Sequence, residues 1–182
     1  MSEPTERQDS FLGKALAWLL LIGLLALVAW QLRASQRGIL STGEPAPEFS
    51  LTTFEGDVID ASDMESRVVL VNFWASWCKP CEMEAEALQT AWEMYADRGD
   101  VLFLGVDYVD TEKEALAYID RWGITYPNGP DFGTLIYTAF RARGVPETFV
   151  INKQGQVAYV KIGPFESLEE ITTAIDRLLE DS

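Results

Sequence analysis

The two cysteines constrain the fold of this chain more than any other feature. Cys78 and Cys81 are the only cysteines among 182 residues, and a lysine and a proline separate them. A continuous apolar run over 68–74 leads into them, and a glutamate-rich run of helix-forming residues follows over 82–88. This pattern predicts a buried strand, a tight turn and a helix that begins at the cysteines.

The start of a helix favours redox chemistry at a thiol. Helix N–H groups and the helix dipole stabilise negative charge there, so the Cys78 thiolate is favoured and Cys78 is expected to be the exposed nucleophile. Lys79 adds positive charge, and Pro80 suits a first turn that needs no N–H, so both are expected to tune the redox pair. Cys81 would resolve a mixed disulfide. A structural disulfide without turnover is the alternative.

Composition excludes several other kinds of site. The chain has no histidine, so it cannot supply a Cys–His or Ser–His pair or a histidine ligand for zinc or haem. A zinc site made of cysteines alone would need four thiolates and therefore two chains. Residues 39–182 carry 26 acidic and 10 basic residues, and this negative charge argues against nucleic-acid binding. We therefore expect no cofactor beyond the redox-active Cys78–Cys81 disulfide.

An apolar segment near the N-terminus predicts a membrane anchor. Residues 15–32 carry no charge, and Trp18 and Trp30 lie near the two ends, where interfacial aromatic residues are expected. A cleaved signal peptide is disfavoured because no clear small-residue cleavage site follows. A buried soluble helix is disfavoured because the segment lacks a polar face. Basic residues are balanced across the segment, so charge leaves its orientation open.

Four parts follow along the chain. They are a polar tail over 1–14, the anchor over 15–32, a linker with glycine and proline over 33–47, and a folded domain over 48–182. Periodicity in the domain predicts a hairpin over 49–59, strands over 68–74 and 101–106, helices from 78 and 111, a turn-rich connection over 126–130, a short helix after 131, a hairpin over 147–162 and a helix after 167. This order predicts an α/β fold with a mixed sheet and helices on both faces.

Several segments resemble one family. The run VLVNFWASWCKPC over 69–81 is similar to the active-site strand and turn of thioredoxin-fold proteins, and GVPETFVI over 144–151 is similar to their cis-proline segment. The run GEPAPEF over 43–49 and the insertion over 106–116 resemble the membrane-anchored TlpA/ResA/CcmG (DsbE) branch. The resemblance covers roughly 43–180. The motifs are specific together, whereas the W-C-x-x-C pattern alone marks only the superfamily.

The resemblance implies a thioredoxin fold with an N-terminal β-hairpin and a family insertion, preceded by one transmembrane helix. It also implies a single-pass membrane protein with a cytoplasmic tail and an extracytoplasmic domain. The implied activity is reduction of protein disulfides, such as apocytochrome c cysteines in cytochrome c maturation. A membrane electron donor such as a CcdA/DsbD-like protein would recycle the pair. The Lys79–Pro80 dipeptide differs from that of the best-known cytochrome-maturation members, which leaves the redox role and partner open.

Two other functions stay open. A peroxide-reducing redoxin of the AhpC/TSA kind has a similar opening sequence, but no Pro-x-x-x-Thr/Ser run precedes Cys78. A non-catalytic cytochrome-maturation adaptor would use only the fold for binding, and the intact cysteine pair argues against it.

The resemblance also assigns residues that would bind substrate. Pro146 would be the cis-proline, and it would place the Val145 backbone beside the sulfurs, where a substrate strand can pair with it. Trp77 would offer a surface for partners, with packing as the alternative.

A few polar residues are candidates for proton transfer. Glu84 and Glu147 would move a proton to or from Cys81, and Asp110 is a third candidate. For Glu84 the alternative is a solvated acid on the helix surface. Asn72 stands where thioredoxin carries a buried acid, and we expect the backbone to satisfy it.

Overall fold

The computed structural model describes residues 6–35, 38 and 40–180 and divides the chain into two units, 1–38 and 39–182. Helix α1 (Glu6–Ser35) lies in the first unit and extends beyond both ends of the predicted anchor. Its segment Gly13–Gln31 is long and apolar enough to cross a membrane. Residues 1–5 of the predicted tail and 36, 37 and 39 of the predicted linker lie outside the described residues.

The second unit is built around a mixed sheet. Its strands are β1 (Leu51–Thr52), β2 (Val58–Ile59), β3 (Val68–Trp74), β4 (Val101–Asp107), β5 (Asn128–Pro130), β6 (Glu147–Ile151) and β7 (Val157–Ile162). Its helices are α2 (Ala61–Met64), α3 (Lys79–Tyr95), α4 (Glu112–Trp122), α5 (Leu135–Ala139) and α6 (Leu168–Glu180). The main sheet has the order β5-β4-β3-β6-β7, in which β3, β4 and β5 are parallel and β6 and β7 are antiparallel additions. The predicted α/β class with a mixed sheet is confirmed.

The sheet is buried on both faces because alternate residues of its strands enter two cores. On β3, Val68 and Leu70 pack in a core that includes residues of α3 and α6. Val69, Val71 and Phe73 face a second core that includes residues of α5. All seven residues of β3 are buried, as a continuous apolar run predicts for a central strand.

Two short elements were not predicted. Residues 126–130 were expected to form only a connection, but β5 pairs there with β4, with Gly105 opposite Asn128. A strand this short, with Gly and Pro in it, carries no periodic signal and depends on its partner strands. The second unpredicted element is helix α2, which begins with a capping box. The Asp60 carboxylate accepts backbone N–H groups of the first turn of the helix, and the Asp63 carboxylate accepts the Asp60 N–H.

The folded domain begins earlier than residue 48. Leu40 is buried in the second core. The backbone N–H of Gly43 donates to the Val157 carbonyl at 2.8 Å, and that of Ala46 donates to the Gly155 carbonyl at 2.9 Å. Part of the predicted 33–47 linker is therefore packed against the turn before β7 and the first residue of that strand, because its backbone groups find partners there.

The glycine at position 129 lets the small β1–β2 hairpin approach β5 closely. A Cβ built on Gly129 would overlap the carbonyl oxygen of Thr52. The Phe54 N–H also donates to the Asn128 carbonyl at 2.9 Å. The hairpin thus covers the outer edge of β5.

Candidate active site

The two cysteines lie where β3 ends and α3 begins. Cys78 is the N-cap of α3, and its Sγ accepts the backbone N–H of Cys81 at 3.1 Å. Pro80 occupies the first turn of the helix, where no N–H donor is needed. The two cysteines form a disulfide. Helix geometry thus directs a donor at Cys78, which stabilises a thiolate once the bond is reduced.

Both cysteines are shielded from solvent. Cys78 is 3% exposed and Cys81 is 1% exposed, so the expected exposure of Cys78 is wrong for this disulfide form. The reason is local packing, because both residues belong to the core shared with Ala85, and Val145 packs against that core. A partner sulfur can therefore reach the cysteines only along the surface formed by the groove and the loops around the turn.

The charge of Lys79 is directed at a neighbouring carboxylate. Its Nζ lies 2.9 Å from Glu82 Oε1, and Arg121 lies 3.6 Å from the same oxygen. The hydrogen bond from Lys79 lowers the pKa of Glu82. Because an exposed ion pair of this kind contributes little energy, the helix N-terminus remains the main stabiliser of a Cys78 thiolate.

A groove of about 300 Å³ lies beside the turn. Pro80 and the loop that precedes β6 line it, and the Val145–Pro146 peptide bond in that loop is cis, as expected from the family segment. Gly163 also lines the groove, and its N–H donates to the Pro146 carbonyl at 3.0 Å. The structure thus brings Pro80, Val145 and Pro146 to one surface.

Trp77 is a surface residue on the other side of the turn. Its side chain is 58% exposed, and its indole Nε1 donates to the Val109 carbonyl at 3.1 Å. Trp74 differs, since it is buried, stacks on Tyr118 and donates to Asn128 Oδ1 at 2.8 Å. The ring of Trp77 is therefore held in place by its hydrogen bond while most of it faces solvent.

Glu84 is a buried acid rather than a solvated one. Its Oε1 accepts Asn72 Nδ2 at 2.8 Å, and its Oε2 accepts the Phe165 N–H at 2.8 Å. Asn72 also donates to Thr148 Oγ1 at 2.9 Å, so side chains satisfy its amide group instead of the expected backbone. Burial raises the pKa of Glu84 to about 7, against the opposing effect of its hydrogen bonds. A carboxyl group with such a pKa can exchange a proton near neutral pH.

The other two predicted acids hold loops. Asp110 accepts the Ser76 N–H at 2.6 Å and the Thr111 N–H at 2.9 Å, so it fixes the turn before Cys78. Glu147 is buried, and its Oε2 accepts the Arg143 N–H at 2.8 Å, which fixes the loop before Pro146. Its Oε1 is buried without a hydrogen-bond partner among the described residues. Of the three acids, Glu84 lies one helical turn after Cys81 on the same face of α3.

Asp107 is a buried acid that the sequence patterns did not predict. It ends β4 directly opposite Trp74, and it is buried. Within the described part of the chain its Oδ1 has no hydrogen-bond partner. Burial, with a smaller contribution from Asp110, raises the pKa of Asp107 to about 7. The sequence does contain a signal for this residue, because an acid directly follows the apolar run of the predicted strand over 101–106.

The buried acids predict a pH-dependent stability. The pKa of Glu84 is about 7 in the folded state against an ordinary 4.5, so the folded protein binds this proton more tightly than the unfolded chain. The free energy of unfolding should therefore fall as pH rises from about 4.5 to 7. Glu84→Gln should remove about 3 kcal/mol of that fall, as measured by urea unfolding of the full chain in detergent across this range.

The exposed glutamate two positions further along the same helix provides the control. Glu86→Gln should leave the pH-dependent decrease in the free energy of unfolding unchanged. The decrease that remains in Glu84→Gln should disappear when Asp107→Asn is added. Equal slopes in wild type and Glu84→Gln would contradict the assignment to Glu84.

Comparison with known proteins gives a consistent set of relatives. The AhpC/TSA family model matches residues 42–160. The thiol-disulfide oxidoreductase ResA of Bacillus cereus is 28% identical over 157 residues, covering 86% of this chain and 90% of that protein. The thioredoxin-like protein YneN of Bacillus subtilis is 31% identical over 162 residues, covering 87% and 95%. The crystal structure of a thioredoxin-family thiol:disulfide interchange protein from Chlorobium tepidum superposes with a TM-score of 0.69 at 28% identity, covering 76% of this chain and 98% of that one.

Proposed function

We infer the function from one premise: the chain belongs to the AhpC/TSA family and, like its named relatives, is a thioredoxin-like thiol-disulfide oxidoreductase. We propose that it works as a reductant of disulfides in other proteins. The observation that carries this proposal is the Cys78–Cys81 pair at the start of α3, beside an open groove of about 300 Å³.

The proposed reaction is a two-step exchange of disulfides. In the reduced protein the Cys78 thiolate attacks a substrate disulfide, forms a mixed disulfide and releases one substrate thiolate. Cys81 then loses its proton and attacks Cys78 Sγ, which releases the second substrate thiolate. The substrate gains two electrons, and the protein is left with the Cys78–Cys81 disulfide.

We propose that Glu84 accepts the proton that Cys81 loses. Its burial on the same helix face and its pKa near neutrality support this role. We propose that Asp110 and Glu147 act as positioning residues, because their carboxylates accept backbone N–H groups of the turn and of the loop before Pro146. Lys79 and Pro80 would tune the pair through local charge and turn geometry.

The groove is the proposed site for the substrate backbone. The Val145 backbone would pair with an extended substrate segment across Pro146, while the exposed ring of Trp77 would contact the substrate on the other side of the turn. Shielding of both sulfurs in the disulfide form supports a substrate that must enter along these surfaces.

We propose that α1 anchors the protein as a single-pass membrane protein. The apolar segment Gly13–Gln31 supports this. From the family resemblance we propose that the tail lies on the cytoplasmic side and that the domain over 48–182, with its docked leading segment, lies on the extracytoplasmic side. Each cycle leaves an oxidised pair, so a membrane electron donor such as a CcdA/DsbD-like protein would restore the dithiol. The proposed clients are proteins with accessible disulfides, apocytochrome c with oxidised cysteines among them.

A trapping experiment tests the proposal. Cys81→Ser leaves the mixed disulfide without a resolving thiol, so the variant expressed in the native host and quenched with acid should carry client proteins linked to Cys78. Apocytochromes c together with a membrane donor are the expected adducts. The Cys78→Ser, Cys81→Ser double variant is the matched control and should carry none.

Other outcomes of the same experiment separate the alternatives. A broad set of exported proteins would indicate a general reductase or isomerase. If no protein adduct forms and Cys78 is instead oxidised by peroxide, the protein-reductase proposal fails in favour of a peroxide-reducing redoxin. In a separate complementation test in the native host, full activity of the double variant would indicate a non-catalytic adaptor.

A further inference from the structure

Three apolar side chains are exposed at the sheet edge that carries the active-site turn. Val109, Phe132 and Leu135, here called the loop rim, are 60%, 74% and 73% exposed. They follow β4 and β5, and the carboxyl ends of the parallel strands β3, β4 and β5 meet at one edge. Exposed large apolar side chains that share an edge with a reactive site are a sign of a binding surface.

The rim is joined to the active-site turn by hydrogen bonds. The Val109 carbonyl accepts Trp77 Nε1 at 3.1 Å, and the following Asp110 carboxylate accepts the Ser76 N–H at 2.6 Å. The Asp131 N–H donates to the Asp107 carbonyl at 2.9 Å, which ties the β5 loop to the β4 loop. The rim is therefore continuous with the turn that carries Cys78.

The backbone is in an unfavourable conformation at one rim residue and beside another. Val109 has φ 47° and Thr134 has φ 56°, a left-handed region that costs energy for residues other than glycine. Asp131 supports the second loop, because its carboxylate accepts the N–H groups of Ile136 at 2.9 Å and Tyr137 at 2.7 Å. These loops lower the stability of the fold both through backbone strain and through the exposure of apolar side chains to water. This double cost indicates that the surface binds a partner.

We propose that the loop rim docks an extended segment of a protein substrate that carries an apolar side chain about three residues from the attacked cysteine. This proposal rests on the proposed reduction of protein disulfides and adds the sequence character of the substrate. It concerns the β4–β5 side of the turn, which is separate from the groove at Pro146.

Strand order sets the spacing. In the order β5-β4-β3-β6-β7 the groove lies on the β6 side of β3, and the rim lies on the β4 and β5 side. Neighbouring strands are about 4.8 Å apart, so the rim is displaced from β3 by roughly 5 to 10 Å. An extended chain advances about 3.3 Å per residue, and this distance corresponds to about two or three residues of substrate.

The negative charge of the domain favours basic residues on either side of the substrate segment. Glu112 and Glu114 are exposed just beyond the β4 loop with Lys113 between them, a net negative stretch, and residues 39–182 carry 26 acidic and 10 basic residues. Such a field attracts basic segments and repels acidic ones. The preferred substrate segment is therefore apolar at the rim position and basic around it.

Binding of cysteine-free peptides to the full chain in detergent tests the proposal without redox chemistry. The probe peptide has serine in place of cysteine, phenylalanine about three residues away and lysines at its ends, and a second peptide replaces the phenylalanine with serine. The Phe132→Ser, Leu135→Ser variant should bind the phenylalanine peptide about tenfold more weakly in calorimetry and bind the serine peptide as wild type does.

The matched control is Val58→Ser, Met94→Ser, which removes two exposed apolar side chains from the β1–β2 hairpin and the far end of α3. Equal affinity of rim and control variants for the phenylalanine peptide, or no preference of wild type for that peptide, would overturn the rim proposal. Reduction of a small aromatic disulfide by reduced wild-type protein is measured separately. Its absence would defeat the proposed function, whereas a tenfold binding loss in the rim variant would still support the rim.

Discussion

Replacing Cys78 with serine will abolish disulfide reduction, with a loss of about a thousandfold or more in the rate of turnover. A serine hydroxyl is not ionised near neutral pH, and it cannot form the mixed disulfide on which the exchange depends. The N–H of Cys81 that now reaches Cys78 Sγ would then have no thiolate to stabilise.

Turnover of a disulfide-containing peptide by the full chain in detergent, with a chemical thiol as recycling donor, measures this effect. Cys81→Ser is the informative comparison, because it retains the attacking thiol and should give one covalent adduct per chain but little turnover. Turnover by Cys78→Ser at a rate close to that of wild type would show that the pair is structural.

Replacing Gly129 with alanine should cost about 3 kcal/mol in the free energy of unfolding. The added Cβ would overlap the Thr52 carbonyl oxygen, and it would also stand 3.1 Å from Leu51 Cδ1. Because the overlapping atom belongs to the backbone, it cannot move aside as a side chain does. The β1–β2 hairpin should therefore separate from β5.

Urea unfolding followed by near-ultraviolet circular dichroism measures the loss. Gly144→Ala is the matched control, since a Cβ there meets no described heavy atom within 4 Å. If Gly129→Ala and Gly144→Ala unfold at the same urea concentration, close contact between the hairpin and β5 is not important for stability.

The features that the sequence predicted well depend on neighbours along the chain. The apolar run of β3 and the helix that begins after Cys78 are local patterns of burial and capping. The segment around Pro146 was identified by its resemblance to a family, since no local pattern distinguishes a cis from a trans proline.

The features that it missed depend on distant partners. Glu84 is buried because Phe165, 81 residues later, and Asn72 on β3 satisfy its oxygens, and no helical pattern of acids shows this. The β5 strand exists because β4 lies beside it. Leu40 was assigned to a linker because the composition around it is typical of one, whereas its burial depends on contacts with the second core.

Backbone segments that cover parts of both edge strands affect how copies of the chain associate. Residues 43–46 pair with the start of β7, where the Val157 N–H donates to the Glu44 carbonyl at 2.9 Å, while the hairpin covers β5, which ends in Pro130. Unpaired strand margins are the usual templates for chain-to-chain β-pairing and fibrous aggregation. Under the proposed membrane anchoring, copies concentrated at one membrane surface should therefore polymerise less readily through these covered parts of their sheets.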